Sequence, residues 1–194
     1  MAVTFTNKAA NEMRSRIEEL LEHPSPEIWC GTFHSLSHRI LRKFHKEANL
    51  APGFTILDSD DQLRIVKRLS KEMNLDDAKF PPRQSQWMIN NWKDDGKRSK
   101  DVKDKGNFYK QTVKDLYIKY EQACAHDNLV DFAELILLSY EIIVRNSSIH
   151  DYFFKRFDSI LIDEFQDTNT IQYKWLQAIT APKAKVTAVG DDDQ

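Results

Sequence analysis

The chain has 194 residues, 41% of them hydrophobic and 30% charged, with 28 Lys and Arg against 30 Asp and Glu. That is one domain or two small ones with enough apolar content for a core, which excludes disordered and low-complexity architectures. A formal net charge of −2 gives no bulk support for binding a polyanion, so any such reading must rest on local residues.

No apolar run approaches the roughly 18 residues that span a bilayer, and the opening MAVTFTNKAANEM lacks a signal-peptide pattern. Cys30 and Cys124, with 93 residues between them, make neither a disulfide framework nor a zinc spacing, so a reducing compartment is expected.

In chain order, residues 2–6 read as a buried strand, and Asn7 is placed to cap a helix carrying Ala10, Met13, Ile17, Leu20 and Leu21. Pro24 and Pro26 end it. Residues 28–33 read as a second strand, running into a helix with Leu36, Ile40, Leu41, Phe44 and Ala48 on one face. A Ser59-x-x-Gln62 capping box opens the next helix. From Phe80 to about Tyr140 the pattern stays helical, broken by Pro81-Pro82 and by a polar stretch from Lys93 to Asn107. Residues 159–162 and 185–189 are compact apolar strands flanking a helix over 170–179. Strands at both ends around a helical middle predict an α/β domain with a helical insertion. The last strand stops with no closing element and reads as a truncation.

Two strand ends carry carboxylates. Ser-Ile-Leu-Ile runs into Asp163-Glu164, the pattern of a Walker-B site, where an Asp holds Mg²⁺ and the next Glu polarises the attacking water. The plainer alternative is a strand ending in solvated acids before a helix N-terminus. Val-Gly190-Asp191-Asp192-Asp193-Gln194 repeats the arrangement one helix later, which favours a divalent-metal and phosphate site. The phosphate-cradling G-x-x-x-x-G-K-[ST] is missing: the only Gly-Lys pair, Gly96-Lys97, has Asn91 and Arg98 where the pattern needs Gly and Ser or Thr.

Thr4-Phe5-Thr6-Asn7-Lys8 and Gly31-Thr32-Phe33-His34-Ser35 each place an aromatic, hydrogen-bonding side chains and a helix start at a strand-to-helix turn. This suits single-stranded nucleic acid, with bases stacking on rings and phosphates at the turn; a core Phe beside an ordinary cap is the alternative. His34 and His38 stand at i, i+4 without a third zinc ligand. Their helix is expected to show a basic face of His38, Arg39, Arg42 and Lys46. The Lys93–Lys110 stretch, with seven Lys and Arg among four Asp, is expected to be a solvated loop, and Trp29, Trp87, Trp92 and Trp175 core or rim residues.

These segments, in this order, resemble superfamily 1A helicases of the UvrD/Rep/PcrA type. AVTFTNKAANEMRSRI looks like motif Ia, GTFHSLSHRILR like motif Ib, LVDFAELIL like the motif after the helical subdomain, LIDEFQDTNTIQY like motif II and VGDDDQ like the start of motif III. The resemblance implies an incomplete RecA-like P-loop NTPase subdomain 1A, residues 1–32 and 158–194, interrupted by a mostly helical subdomain 1B over 33–157. It implies a 3′→5′ ATP-dependent DNA helicase or translocase of nucleotide-excision and mismatch repair. Its cofactors would be ATP and Mg²⁺. Its partners would be single-stranded DNA, single-strand/duplex junctions, DNA repair proteins and a second motor domain of the same polypeptide, without a membrane, in the cytoplasm of a bacterium and associated with the nucleoid. By the motif match, Asp163 holds Mg²⁺, Glu164 activates water and Gln194 senses the γ-phosphate, with Gln166 and Asp167 completing motif II. Phe5, Thr6, Asn7, Thr32, Phe33, His34 and Arg39 would contact the strand.

Motif I, the rest of motif III, motifs IV to VI and the arginine finger are not in these residues, so the chain is expected to be a fragment that does not hydrolyse ATP alone. Its 1A remnant is expected to be frayed while 1B packs well. The alternative is a DNA- or partner-binding module of a helicase–nuclease subunit of the RecB or AddA kind, against which the absence of long insertions in 1B argues.

Overall fold

The computed structural model describes residues 1–191. Its main sheet has four parallel strands in the order β2-β1-β5-β6: β1 Ala2–Thr4, β2 Cys30–Thr32, β5 Ser159–Ile162 and β6 Lys185–Ala188. Helices α1 (Asn7–Leu21), α2 (Phe33–Lys43) and α8 (Thr170–Ile179) follow β1, β2 and β5. Parallel neighbours require such crossovers, and they leave all four C-terminal strand ends on one edge.

Between β2 and β5 lie β3 (Thr55–Leu57), α3 (Ser59–Glu72), α4 (Pro82–Asp94), α5 (Phe108–Asp127), β4 (Leu129–Asp131), α6 (Phe132–Arg145) and α7 (Ser147–Phe154). This segment contributes to two cores. Helices α2, α6, α7 and α8 share the sheet's core, around Val3, Phe33, Ile143, Ile160, Ile162 and Trp175. The indole of Trp175 is fully buried and donates to Ser139 Oγ at 2.9 Å. A second core gathers α3, α4 and α5 around Val66, Ile89, Val113, Leu116, Tyr117 and Tyr120. Each fully buried large aliphatic side chain contributes roughly 1.5–3 kcal/mol.

Several expectations need correction. Strands β3 and β4 pair in parallel inside the expected helical middle; at three residues each they are too short to show a period. Thr6, not Asn7, caps α1 by accepting from the Ala9 N–H at 3.1 Å, and Asn7 is the first helical residue. Asp58 caps α3 in place of Ser59, and Gln62 turns inward. The α1 stripe buries only Ala10, leaving Leu20 84% exposed.

The Lys93–Asn107 stretch is the largest departure, because its first cation is interior. Lys93, 2% exposed, meets Asp131 Oδ2 at 2.6 Å and Glu134 Oε2 at 2.8 Å. Arg98 is held by Glu134 and Glu141, each at 2.7 Å. Asp131 also accepts from the Tyr120 hydroxyl at 2.7 Å and, through Oδ1, caps α6 at Glu134 N–H. An alternating run of charges looks solvated in sequence whether its partners are water or acids contributed by a distant helix.

Candidate functional site

The site is the edge formed by the C-terminal ends of the four strands. Register joins its halves: Thr4 stands opposite Thr32 on β2, and Val3 opposite Ile162 on β5. The Asp163 N–H donates to Val3 O at 2.9 Å, and Thr4 Oγ1 donates to Asp163 Oδ2 at 3.4 Å.

On the β5–β6 side, Asp163 and Glu164 are half-buried. Glu164 has φ +53° and ψ +44°, a left-handed conformation that a residue with a Cβ adopts at a cost of roughly 1–2 kcal/mol. This reversal ends β5 and starts the short turn Phe165–Asp167, whose Phe165 N–H donates to Val189 O at 2.9 Å. Strain in a residue at a strand end fits a functional constraint. Gly190 and Asp191 follow β6, so three acidic side chains (Asp163, Glu164 and Asp191) stand just past adjacent strand ends.

On the β1–β2 side the expected residues divide. Phe5 is half-buried, its ring 5.4 Å from Phe33, while Thr6 and Asn7 are exposed. Phe33 is 1% exposed and lies between Phe5 and Trp175, so it supports Phe5 from beneath and offers no surface to a ligand. Thr32 is buried as the cap of α2, accepting from the Ser35 N–H at 3.1 Å. His34 is half-buried, and burial lowers its pKa below the ordinary imidazole value. Arg39 is not brought to this edge: its guanidinium lies 4.3 Å from the ring centre of Trp29, at the other end of β2 from Thr32. The basic face expected on α2 is also partly engaged, since Arg42 donates to Pro52 O at 2.6 Å and sits over Phe54. Gln194, expected at the γ-phosphate, lies outside the described residues with Asp192 and Asp193.

One surface aromatic was not expected. Phe132, 51% exposed, meets His34 edge-on with ring centres 5.7 Å apart. It is the first residue of α6, just after the buried cap Asp131. An apolar aromatic at a first helical turn directly after an N-cap was the available signal. Among the described residues no group of three or more His, Cys, Asp or Glu could by itself hold a metal ion. The carboxylates fit the magnesium pattern of one or two protein ligands completed by substrate phosphates and water.

The sequence matches, over residues 1–194, the family described as the UvrD/REP helicase N-terminal domain. The chain belongs to that family. It is 51% identical over its whole length to DNA helicase II of Escherichia coli (strain K12), covering 27% of that protein. It is 48% identical over its whole length to DNA helicase II of Haemophilus influenzae, again covering 27%. To ATP-dependent DNA helicase PcrA of Bacillus subtilis it is 36% identical, covering 26%. The chain thus spans about a quarter of the length of these relatives. Membership of the UvrD/REP family agrees with the fold: a RecA-like parallel sheet interrupted by helices.

Proposed function

We propose that the chain forms part of an ATP-dependent DNA helicase, carrying the metal- and water-handling carboxylates and a portion of the single-strand track. The observation that carries this reading is the strand order. It sorts the strand-end chemistry into an aromatic and hydroxyl half on β2 and β1 and a carboxylate half on β5 and β6, joined at Thr4 and Asp163. Asp163 would hold Mg²⁺ through its carboxylate. Glu164 would orient the attacking water and take its proton at a carboxylate oxygen. The bound Mg²⁺·ATP would supply the transferable phosphoryl group and the cation that neutralises it. No phosphate-cradling loop occurs in these 194 residues, so that part of the nucleotide site must come from elsewhere.

Phe5, with His34 and Phe132 alongside, offers bases a stacking surface, and Thr6 and Asn7 offer phosphates polar contacts. In this reading residues 33–157 form the inserted subdomain, rooted on the sheet by α2, α6 and α7. The 3′→5′ direction, action at junctions, the roles in excision and mismatch repair and a cytoplasmic, nucleoid-associated location belong to the same proposal. No helix among the described residues is long and apolar enough to cross a membrane.

Fluorescence anisotropy of a labelled oligo-dT across a salt series tests the track. Binding should weaken steeply with salt through counterion release. Phe5→Ala and Phe132→Ala should each weaken it by about 1–3 kcal/mol, the worth of one base–aromatic stack. No binding at low salt, or binding indifferent to both substitutions, would overturn the assignment of this edge to DNA.

A further inference from the structure

Gln166 touches both carboxylate-bearing strand ends. Its Nε2 donates to Glu164 Oε2 at 2.6 Å. Its Oε1 accepts from the Asp191 N–H at 3.3 Å, across 25 residues of sequence. The same oxygen fills the space over Gly190, where an added Cβ would collide with it. A planar amide is suited to this task, since it presents a donor at one corner and an acceptor at the other.

The motif match gives Gln166 a place in motif II but no task. We propose that Gln166 is a positioning residue: it fixes the Glu164 carboxylate in the orientation needed to take a proton from water, and it makes that orientation depend on the segment after β6. This rests on the role of Glu164 proposed above. Glu164 hangs from a left-handed residue on a flexible two-carbon stem, and within the described residues Gln166 is the side chain that donates to it. A shift of the Gly190–Asp191 segment would therefore pull on the amide and release the carboxylate. The missing Cβ of Gly190 is the room the Gln166 oxygen occupies, so a side chain there would displace the amide from this contact.

Two measurements test this. In the 194-residue chain, Gln166→Ala should shift the backbone amide resonances of Gly190 and Asp191 in a ¹H–¹⁵N spectrum and leave that of Val3 in place. Unmoved Gly190 and Asp191 signals would overturn the bridge. Turnover is measured with the 194 residues carried in a helicase polypeptide that supplies the phosphate-binding loop, under DNA-stimulated ATP hydrolysis. There Gln166→Ala should lower kcat about 10–100-fold, the usual effect of removing a residue that orients a reacting group, with KM for ATP within about threefold.

Gln166→Glu separates positioning from packing. It keeps the shape and the acceptor for Asp191 but removes the donor and sets a second carboxylate against Glu164. A packing role would be restored by Glu; a positioning role would not, and kcat should stay at or below that of Gln166→Ala. Gly190→Ala should lower kcat in the parent and have little further effect in Gln166→Ala, because the collision partner is gone. Restored turnover in Gln166→Glu, or unaltered kcat in Gln166→Ala, would sink the inference. Glu164→Gln serves as the reference. If it retains turnover, the proposed role of Glu164 fails instead, whatever Gln166 does.

Discussion

Burial sets the protonation of His34. Its imidazole is desolvated against Phe132, which disfavours the charged form and lowers the pKa from the ordinary value near 6.5. Below that ordinary value the unfolded chain binds a proton that the folded chain resists, so stability falls as pH drops through about 6.5 and levels off beneath the folded value. His38 shifts the same way, through burial and then Arg42, and adds to the same limb. His34→Gln should therefore reduce, without abolishing, the loss of melting temperature between pH 7.5 and 5.5. An unchanged loss would show that His34 is not desolvated in solution. A neutral imidazole also suits a stacking surface, where its ring and that of Phe132 present faces and edges to bases without a buried charge.

At the scale of elements, α4 and α6 are joined by buried ion pairs, Lys93 of α4 meeting the α6 cap Asp131 and Glu134 of α6. Burial alone would neutralise Lys93, but Asp131 and Glu134 outweigh it and raise its pKa. Burial likewise opposes ionisation of Glu134, and Lys93 with Arg98 reverses this and holds it down to about 2. That depressed value contributes stability present above the ordinary carboxylate range and lost as pH falls from about 4.3 toward 2. Lys93→Met should destabilise the fold by about 3–5 kcal/mol, because it leaves Asp131 buried without a cation and Glu134 with Arg98 alone. Arg64→Ala, which breaks an exposed pair with Asp61, should cost less than about 1 kcal/mol. Urea unfolding of the two variants checks the contrast, and equal midpoints would contradict it.

The same elements show what the sequence made legible. Strands β5 and β6 and helix α8 were readable because a compact apolar run bounded by acids, glycine or a cap has few alternatives. Asp163, Glu164 and Phe5 were readable because strand-end turns expose whatever follows the strand. Lys93 was not, since its partners lie 38 and 41 positions away and burial of a charge has no local signature. Phe33 and Arg39 show the converse. The residues follow the motif, but local pattern does not tell which face of α2 meets the core and which meets Trp29.

Over the whole molecule, order is graded across the sheet. Strand β1 is central and buried along its length, whereas β6 is an edge whose four residues are all exposed. Beside β1, Leu20, Leu21, Ile17 and Leu161 line an open apolar groove between α1 and the sheet, a face that water covers poorly. The second core, by contrast, encloses Val113, Leu116, Tyr117 and Tyr120 completely. Local opening should follow this gradient, since amides shielded by few apolar contacts exchange without global unfolding. Hydrogen exchange by mass spectrometry should find the β6 and α1 peptides fastest, β1 and β5 slower, and α5 and α6 slowest. Peptides of β6 and α5 exchanging at one common rate would mean that the molecule opens as a single unit. In that case the edge strand would be held as firmly as the core, and exposure would be a poor guide to where this chain gives way.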